Sequence, residues 1–126
     1  MTKDTPTIYI VDDDASVRKS LTRLMKSAGL KTEAFSSASG YLSFCPPDKP
    51  CCLILDVQMP GMSGLDLQKR LITLNQMIPI IFITAHEDKQ TYNAAMKAGA
   101  LAVLQKPFDD HALLDVISIG VAKAIP

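Results

Sequence analysis

The chain has 126 residues, a length that suits one domain with a single core. Lys and Arg together number 13, as do Asp and Glu, so no excess charge favours binding to nucleic acid or to an acidic membrane. No apolar stretch approaches the ~20 residues that span a bilayer, and the polar N-terminus lacks the apolar segment of a secretion signal. We therefore expect a cytoplasmic globular protein.

The first part of the chain contains two strand–helix pairs, at 7–11 with 15–28 and at 31–35 with a short helix through about Phe44. Gly29 is expected to cap the first helix at its C-terminus, and Ser36 and Ser37 can cap the second. The stretch 31–35 alternates polar and apolar residues, which is typical of an edge strand. The Pro-rich stretch 46–50 is predicted to be a loop.

The remaining part contains three further pairs, at 52–55 with 65–74, at 79–84 with 88–98, and at 101–105 with 109–124. The run 52–55 is wholly apolar, as expected of a strand covered on both faces. In the helix that follows, Leu67, Leu71 and Leu74 are predicted to share one face.

Three cysteines, Cys45, Cys51 and Cys52, lie close together in the sequence. An odd number in one region does not fit a secreted disulfide framework. We expect reduced thiols, with Cys52 packed as a small apolar residue in a strand. The alternative is a redox switch between Cys45 and Cys51. The chain has no spacing of Cys and His that is typical of a zinc site.

Five repeats of strand then helix predict an α/β fold, a flavodoxin-like (βα)5 three-layer sandwich with a parallel five-stranded sheet. We expect the strand order 2-1-3-4-5 and a single domain over 1–126, with its core at about 7–124; any C-terminal output domain would lie outside this chain. In such sheets, ligands bind beyond the carboxyl ends of the strands, near the switch in strand order. Here strands 1 and 3 flank that switch.

Polar side chains with complementary charges follow the strands at this edge: Asp12, Asp13, Asp56, Thr84 and Lys106. Clustered carboxylates repel one another, which favours a bound cation, and carboxylate oxygens with open water positions suit Mg²⁺. Asp56, lying centrally, could act as a nucleophile and form an acyl phosphate. Lys106 would neutralise charge on the phosphoryl group, and Thr84 would donate a hydrogen bond to it.

Each of these residues also has a simpler interpretation when it is taken alone. Asp14 is expected to cap the first helix. Thr84 taken alone is more simply a strand-end residue bonded to backbone, and Lys106 alone is a solvated surface lysine. The joint placement of these side chains at four strand ends favours the functional interpretation.

Five segments carry a resemblance to a known family: Ile-Val-Asp-Asp-Asp at 10–14, Leu-Asp-Val-Gln-Met-Pro-Gly-Met-Ser-Gly at 55–64, Ile-Thr-Ala at 83–85, Lys-Ala-Gly-Ala at 97–100 and Lys-Pro-Phe at 106–108. Together they resemble the receiver domain of bacterial two-component response regulators, over residue 7 to about 124. The residues of the second and fifth segments are most similar to those of receivers of the nitrogen-fixation regulator type.

The resemblance implies a role for each matching position. Asp56 would accept a phosphoryl group from a histidine kinase. Mg²⁺, or Mn²⁺, would be held by Asp13, by Asp56, by the backbone carbonyl of Gln58 and, through water, by Asp12. Three positions match the family's switch hydroxyl, its lysine and a typically cis proline: Thr84, Lys106 and Pro107.

One position departs from the family pattern. Val103 stands three residues before Lys106, where the family commonly has an inward-turning Tyr or Phe. A short β-branched side chain has little reach, so either the loop and helix after Thr84 carry the signal or the switch is weak. His86, on the rim, could orient water or have no role.

The resemblance also implies partners. Phosphorylation would alter the face formed by helix 4, strand 5 and helix 5 and so regulate an output. In receivers of this type, the output is transcription, regulated through a C-terminal DNA-binding domain. Homodimers could form on phosphorylation, whereas this domain would bind neither nucleic acid nor membrane. The basic residues on the outer side of the first helix are either a solvated face or part of the kinase docking surface: Arg18, Lys19, Arg23 and Lys26.

Two other functions would use some of the same residues. The string Asp12-x-Asp14-x-Ser16 loosely imitates the nucleophile loop of haloacid-dehalogenase-like phosphohydrolases. That enzyme would use Asp12 as nucleophile and leave Asp56 without a role. Flavin binding on the same fold lacks a suitable phosphate loop after the first strand. We therefore expect a signalling module that catalyses only its own phosphorylation and dephosphorylation, not a turnover enzyme.

Overall fold

The computed structural model describes residues 7–44, 52–76, 78–86 and 88–124. Within these ranges strands and helices alternate as β1 Thr7–Val11, α1 Ala15–Ser27, β2 Lys31–Phe35, α2 Ala38–Phe44, β3 Cys52–Asp56, α3 Gly64–Thr73, β4 Ile80–Thr84, α4 Lys89–Lys97, β5 Ala102–Gln105 and α5 Asp110–Ala124. The predicted order of elements is confirmed. The predicted loop at 46–50 and the alternative redox pair Cys45 and Cys51 lie outside the described residues.

The five strands form one parallel sheet in the order β2-β1-β3-β4-β5, as predicted. β1 pairs with β2 and β3, and β4 pairs with β3 and β5. The alternating strand β2 lies at an edge, while all five residues of β3 are buried in the middle of the sheet. The flavodoxin-like fold class is therefore confirmed.

Apolar side chains fill both faces of the sheet. On one face, alternate strand residues such as Leu53 and Leu55 pack with α2, α3 and α4. On the other, the intervening residues, including Ile54 and the fully buried Cys52, pack with α1 and α5. The central strand thus needs apolar residues at successive positions, which is why 52–55 shows no alternation. The expectation that Cys52 packs inside a strand is confirmed.

The capping residues predicted for α1, Asp14 and Gly29, are confirmed. Gly29 and Gly99 adopt positive φ after α1 and α4, and the Asp14 side chain accepts a hydrogen bond from Ser16 N–H at the start of α1. The helix predicted at 65–74, with Leu67, Leu71 and Leu74 on one face, is observed at Gly64–Thr73. The helix ends at Thr73, and Leu74, which is 47% exposed, leaves the apolar stripe. Among the described residues, no helix combines the length and the apolar composition needed to cross a membrane.

Candidate functional site

The topology places the predicted site residues at the carboxyl ends of four neighbouring strands. Asp12 and Asp13 follow β1, and Asp56 is the last residue of β3. Thr84 ends β4, and Lys106 follows β5. Since the strands are parallel and in register, these side chains lie at one edge of the sheet.

Lys106 forms ion pairs with two of the carboxylates, those of Asp12 and Asp56. Its Nζ lies 3.1 Å from Asp12 Oδ2 and 3.7 Å from Asp56 Oδ1. Asp12 is completely buried and Asp56 is 5% exposed, whereas Asp13 is exposed. The sequence predicts that Asp56 lies centrally between a cation and Lys106, but the shorter contact of Lys106 Nζ is with Asp12. Lys106 therefore forms an ion pair with both carboxylates and donates its close hydrogen bond to Asp12.

The backbone of the Asp12–Asp14 turn is fixed by further hydrogen bonds. Asp14 N–H donates to Asp12 Oδ1 at 2.9 Å, and Arg18 Nη1 donates to the Asp12 carbonyl oxygen at 2.7 Å. Arg18 is half-buried, whereas Lys19, Arg23 and Lys26 are exposed. Residue spacing does not single out Arg18 among the basic residues of α1. Its hydrogen bond depends on how the first turn of α1 lies over the acidic turn, which only the structure shows.

The environment of Asp56 disfavours its charged form. Burial, followed by the nearby charge of Asp12, raises the pKa of Asp56 from 3.8 to about 6, although Lys106 and a backbone hydrogen bond from Gln58 act in the opposite direction. A buried carboxylate whose ionisation is disfavoured gains from any cation that reaches it. The electrostatics of the site thus favour cation binding at this edge.

The carboxylates are close enough to share such a cation. One oxygen each from Asp12, Asp13 and Asp56 lies within 4.8 Å of the others. This all-oxygen set fits Mg²⁺, which is held by one or two carboxylates and keeps several waters. The described residues therefore fit the predicted metal, with exposed Asp13 on the side that solvent reaches.

Thr84 makes local contacts in this structure. Its hydroxyl donates to the carbonyl oxygen of His86 at 3.1 Å and accepts from His86 N–H at 3.2 Å. The simpler interpretation of Thr84, a strand-end residue bonded to backbone, thus describes its present contacts. The His86 residue is exposed on the rim.

The remaining predicted residues surround this centre. Gln58 is exposed beyond the end of β3, and the Lys106–Pro107 peptide is cis, as expected. Val103 is half-buried on β5 and packs against the cluster formed with α2, α3 and α4.

The phosphohydrolase alternative is not favoured by the geometry. Asp12 would have to attack substrate, yet it is completely buried. One of its carboxylate oxygens accepts from Asp14 N–H and the other pairs with Lys106. Asp56 lacks such close contacts with the lysine, so it is the better candidate for a nucleophile.

Comparison with known proteins identifies the family of the chain. Residues 8–118 match the model of the response regulator receiver domain. The chain is 51% identical over 110 residues to nodulation protein W of Bradyrhizobium diazoefficiens and 39% identical over 119 residues to the transcriptional regulatory protein FixJ of the same species, covering 87% and 94% of this chain. It spans only about half the length of these relatives, 48% and 58% respectively.

A solved response regulator structure has the same fold as this chain. The response regulator StyR superposes with a TM-score of 0.90 at 48% identity, over 96% of this chain and 61% of StyR. The family is one of signalling receiver domains rather than a classical enzyme family. The chain therefore belongs to the response regulator receiver domains of two-component systems and, with its FixJ-like relatives, to their nitrogen-fixation regulator type.

Proposed function

We propose that Asp56 is the phosphoacceptor of this receiver. The observation that carries the proposal is the division of contacts at the site, in which Lys106 lies 3.1 Å from Asp12 but 3.7 Å from Asp56. Asp12 is held in place as a structural and electrostatic partner. Asp56 ends the central strand with an oxygen available to attack phosphorus.

The phosphodonor we propose is a phosphohistidine of a histidine kinase. An Asp56 oxygen forms a bond to phosphorus while the phosphorus–nitrogen bond breaks, and the departing imidazole nitrogen takes up a proton from solvent. The same carboxylate attacks a small acyl phosphate, with the carboxylate of the donor as leaving group. Lys106 moves toward the new phosphoryl oxygens from its position beside Asp56.

Mg²⁺, or Mn²⁺ in its place, is the proposed cofactor, held by Asp13, Asp56 and the Gln58 backbone carbonyl, with Asp12 acting through water. When bound, the cation neutralises charge on the phosphoryl group and on the carboxylates. Asp13 supports this assignment because it is exposed, whereas both oxygens of Asp12 already have partners.

The proposed switch begins at Thr84. To donate a hydrogen bond to a phosphoryl oxygen, its hydroxyl must stop donating to the His86 carbonyl oxygen, and the turn between β4 and α4 then loses that hydrogen bond. Val103 is too short to follow this movement as an aromatic side chain would. The rearranged turn and α4 therefore carry the signal to the face formed by α4, β5 and α5.

The output we propose is transcription, because the FixJ relative is named a transcriptional regulatory protein. This domain would act through a DNA-binding domain of the whole protein and through dimers formed on phosphorylation, without itself contacting nucleic acid or membrane. A cytoplasmic location belongs to the same proposal.

The test is covalent labelling. The protein is incubated with Mg²⁺ and acetyl phosphate, and its intact mass is measured over time. We expect one added phosphoryl group that is lost in Asp56→Asn and retained in Asp115→Asn, a control that removes an exposed carboxylate from α5. Labelling that persists in Asp56→Asn but disappears in Asp12→Asn would refute the assignment.

A further inference from the structure

Gly64 lies unusually close to the proposed phosphoacceptor. It is the first residue of α3, and its N–H donates to the Val57 carbonyl oxygen at 2.9 Å. A Cβ at this position would overlap the Asp56 carbonyl oxygen, and it would lie 3.0 Å from Val57 Cα and 3.1 Å from the Asp56 carbonyl carbon. The first turn of α3 therefore packs directly on the peptide that joins Asp56 to Val57.

Backbone conformation does not account for a glycine at this position. Gly29, Gly61 and Gly99 adopt positive φ with open space where a side chain would be. Gly64 is the first residue of α3 and is not among the glycines with positive φ. The requirement at position 64 is thus for space next to Asp56.

The helix cannot easily move away from that contact. A capping box joins the backbone and side chains of Ser63 and Asp66. Leu67 is completely buried one turn later, and Gln68 Nε2 donates to the Ala95 carbonyl oxygen of α4 at 3.1 Å. These contacts fix the position of α3 from its first turn.

Hydrogen bonds on both sides also fix the position of β3. β3 is paired on both sides, with β1 and β4, and Val57 N–H donates to the Ile83 carbonyl oxygen at 3.0 Å. A side chain at position 64 therefore displaces the Asp56–Val57 peptide locally. The direction of the Asp56 carboxylate changes with that peptide.

We propose that Gly64 is a positioning residue for phosphoryl transfer to Asp56. Because glycine has no side chain, the first turn of α3 can pack on the Asp56–Val57 peptide and so fix the direction of the Asp56 carboxylate. This inference rests on the proposed function of Asp56 and assigns the alignment of its carboxylate to a residue that contacts neither metal nor phosphoryl group.

The experiment compares Gly64→Ala with Gly120→Ala. Gly120 is a buried glycine of α5, where a Cβ would lie 3.2 Å from Cys52 Sγ and from Leu101 Cδ2 on the other face of the sheet. Labelling by acetyl phosphate is followed by intact mass across a Mg²⁺ series, and each rate is divided by the folded fraction from urea denaturation. Trimethylamine N-oxide, which favours the compact state, is added equally to all proteins.

We expect the rate of Gly64→Ala at saturating Mg²⁺ to fall about ten- to a hundredfold per folded molecule, the usual effect of misplacing a reacting group by about 1 Å. Gly120→Ala should keep the wild-type rate per folded molecule, even if it is less stable. A wild-type rate in Gly64→Ala would overturn the proposal, as would a Gly64→Ala protein that stays unfolded in the osmolyte, because a local displacement leaves the core intact. Failure of the wild type to label at Asp56 would instead overturn the proposed function.

Discussion

The raised pKa of Asp56 predicts that Asp56→Asn stabilises the metal-free fold. The pKa rises from 3.8 to about 6, because burial and the charge of Asp12 disfavour the carboxylate. Two pKa units correspond to roughly 3 kcal/mol of unfolding free energy. Asparagine removes the charge and keeps an oxygen that can accept the Gln58 backbone hydrogen bond. Lys106 keeps its closer partner Asp12.

The sign of the pH dependence follows from the direction of the shift. At pH values well below 3.8, Asp56 is protonated in both the folded and the unfolded protein and adds nothing to their difference. Between about pH 4 and 6 the unfolded chain releases the proton first, so the wild type loses stability as the pH rises. Above about pH 7 the loss is complete, and the stability gap between Asp56→Asn and the wild type is constant at about 2–3 kcal/mol.

Urea denaturation from pH 4 to pH 8, with EDTA present, measures this gap. The control is Asp115→Asn, which removes an exposed carboxylate and should leave stability within about 0.5 kcal/mol of the wild type. Added Mg²⁺ should narrow the gap, because it binds the folded wild type. A gap that is absent at pH 8, or that grows as the pH falls, would show that Asp56 is not under electrostatic strain.

Three further perturbations test the contacts around the site. Lys106→Met leaves the buried carboxylate of Asp12 without its cation, so urea denaturation should show a loss of about 2–3 kcal/mol, partly recovered in the double variant with Asp12→Asn. Arg18→Ala frees the Asp12 carbonyl, and half-saturation of labelling should need about tenfold more Mg²⁺. Gln68→Met should cost less than about 1.5 kcal/mol of unfolding free energy, since the Ala95 carbonyl oxygen still accepts a backbone N–H.

Each of these predictions has a contradicting outcome. Additive effects of Lys106→Met and Asp12→Asn would show that the two side chains do not interact energetically. Lys19→Ala, which changes the exposed residue next to Arg18, should leave the Mg²⁺ requirement unchanged; an equal rise in both variants would indicate long-range charge rather than the hydrogen bond. A loss above about 3 kcal/mol in Gln68→Met would mean that the buried amide does more than donate to one satisfied carbonyl.

The order of elements and the position of the site follow from local sequence because the fold is built from repeated strand–helix units. Apolar runs mark the strands, and parallel pairing requires a helical crossover between them. Once the strand order is given, polar residues at strand ends must meet at one edge. Asp56 and Lys106 are 50 positions apart in the sequence, yet their side chains lie 3.7 Å apart.

The partners of each side chain did not follow from the sequence. Strand-end placement leaves open whether Lys106 lies closer to Asp12 or to Asp56, because a long lysine side chain can reach either. The same holds for Arg18, whose spacing fits a solvated helix face although its guanidinium donates to the Asp12 carbonyl. Such choices depend on burial and on distances of a few tenths of an ångström, which periodicity does not encode.

The contacts of the acidic cluster distinguish its three carboxylates and support the proposed role of Asp56. Asp12 carries the greatest burial and the closest contact with Lys106, so it holds the lysine in place while its own oxygens are occupied. Asp13 is exposed and available to a cation. Asp56 is buried, has a raised pKa and makes the longer contact with Lys106, so its charge is less compensated than that of Asp12. A site that gave Asp56 as many close partners as Asp12 would be more stable, but under the proposed assignment it would leave no Asp56 oxygen to attack phosphorus.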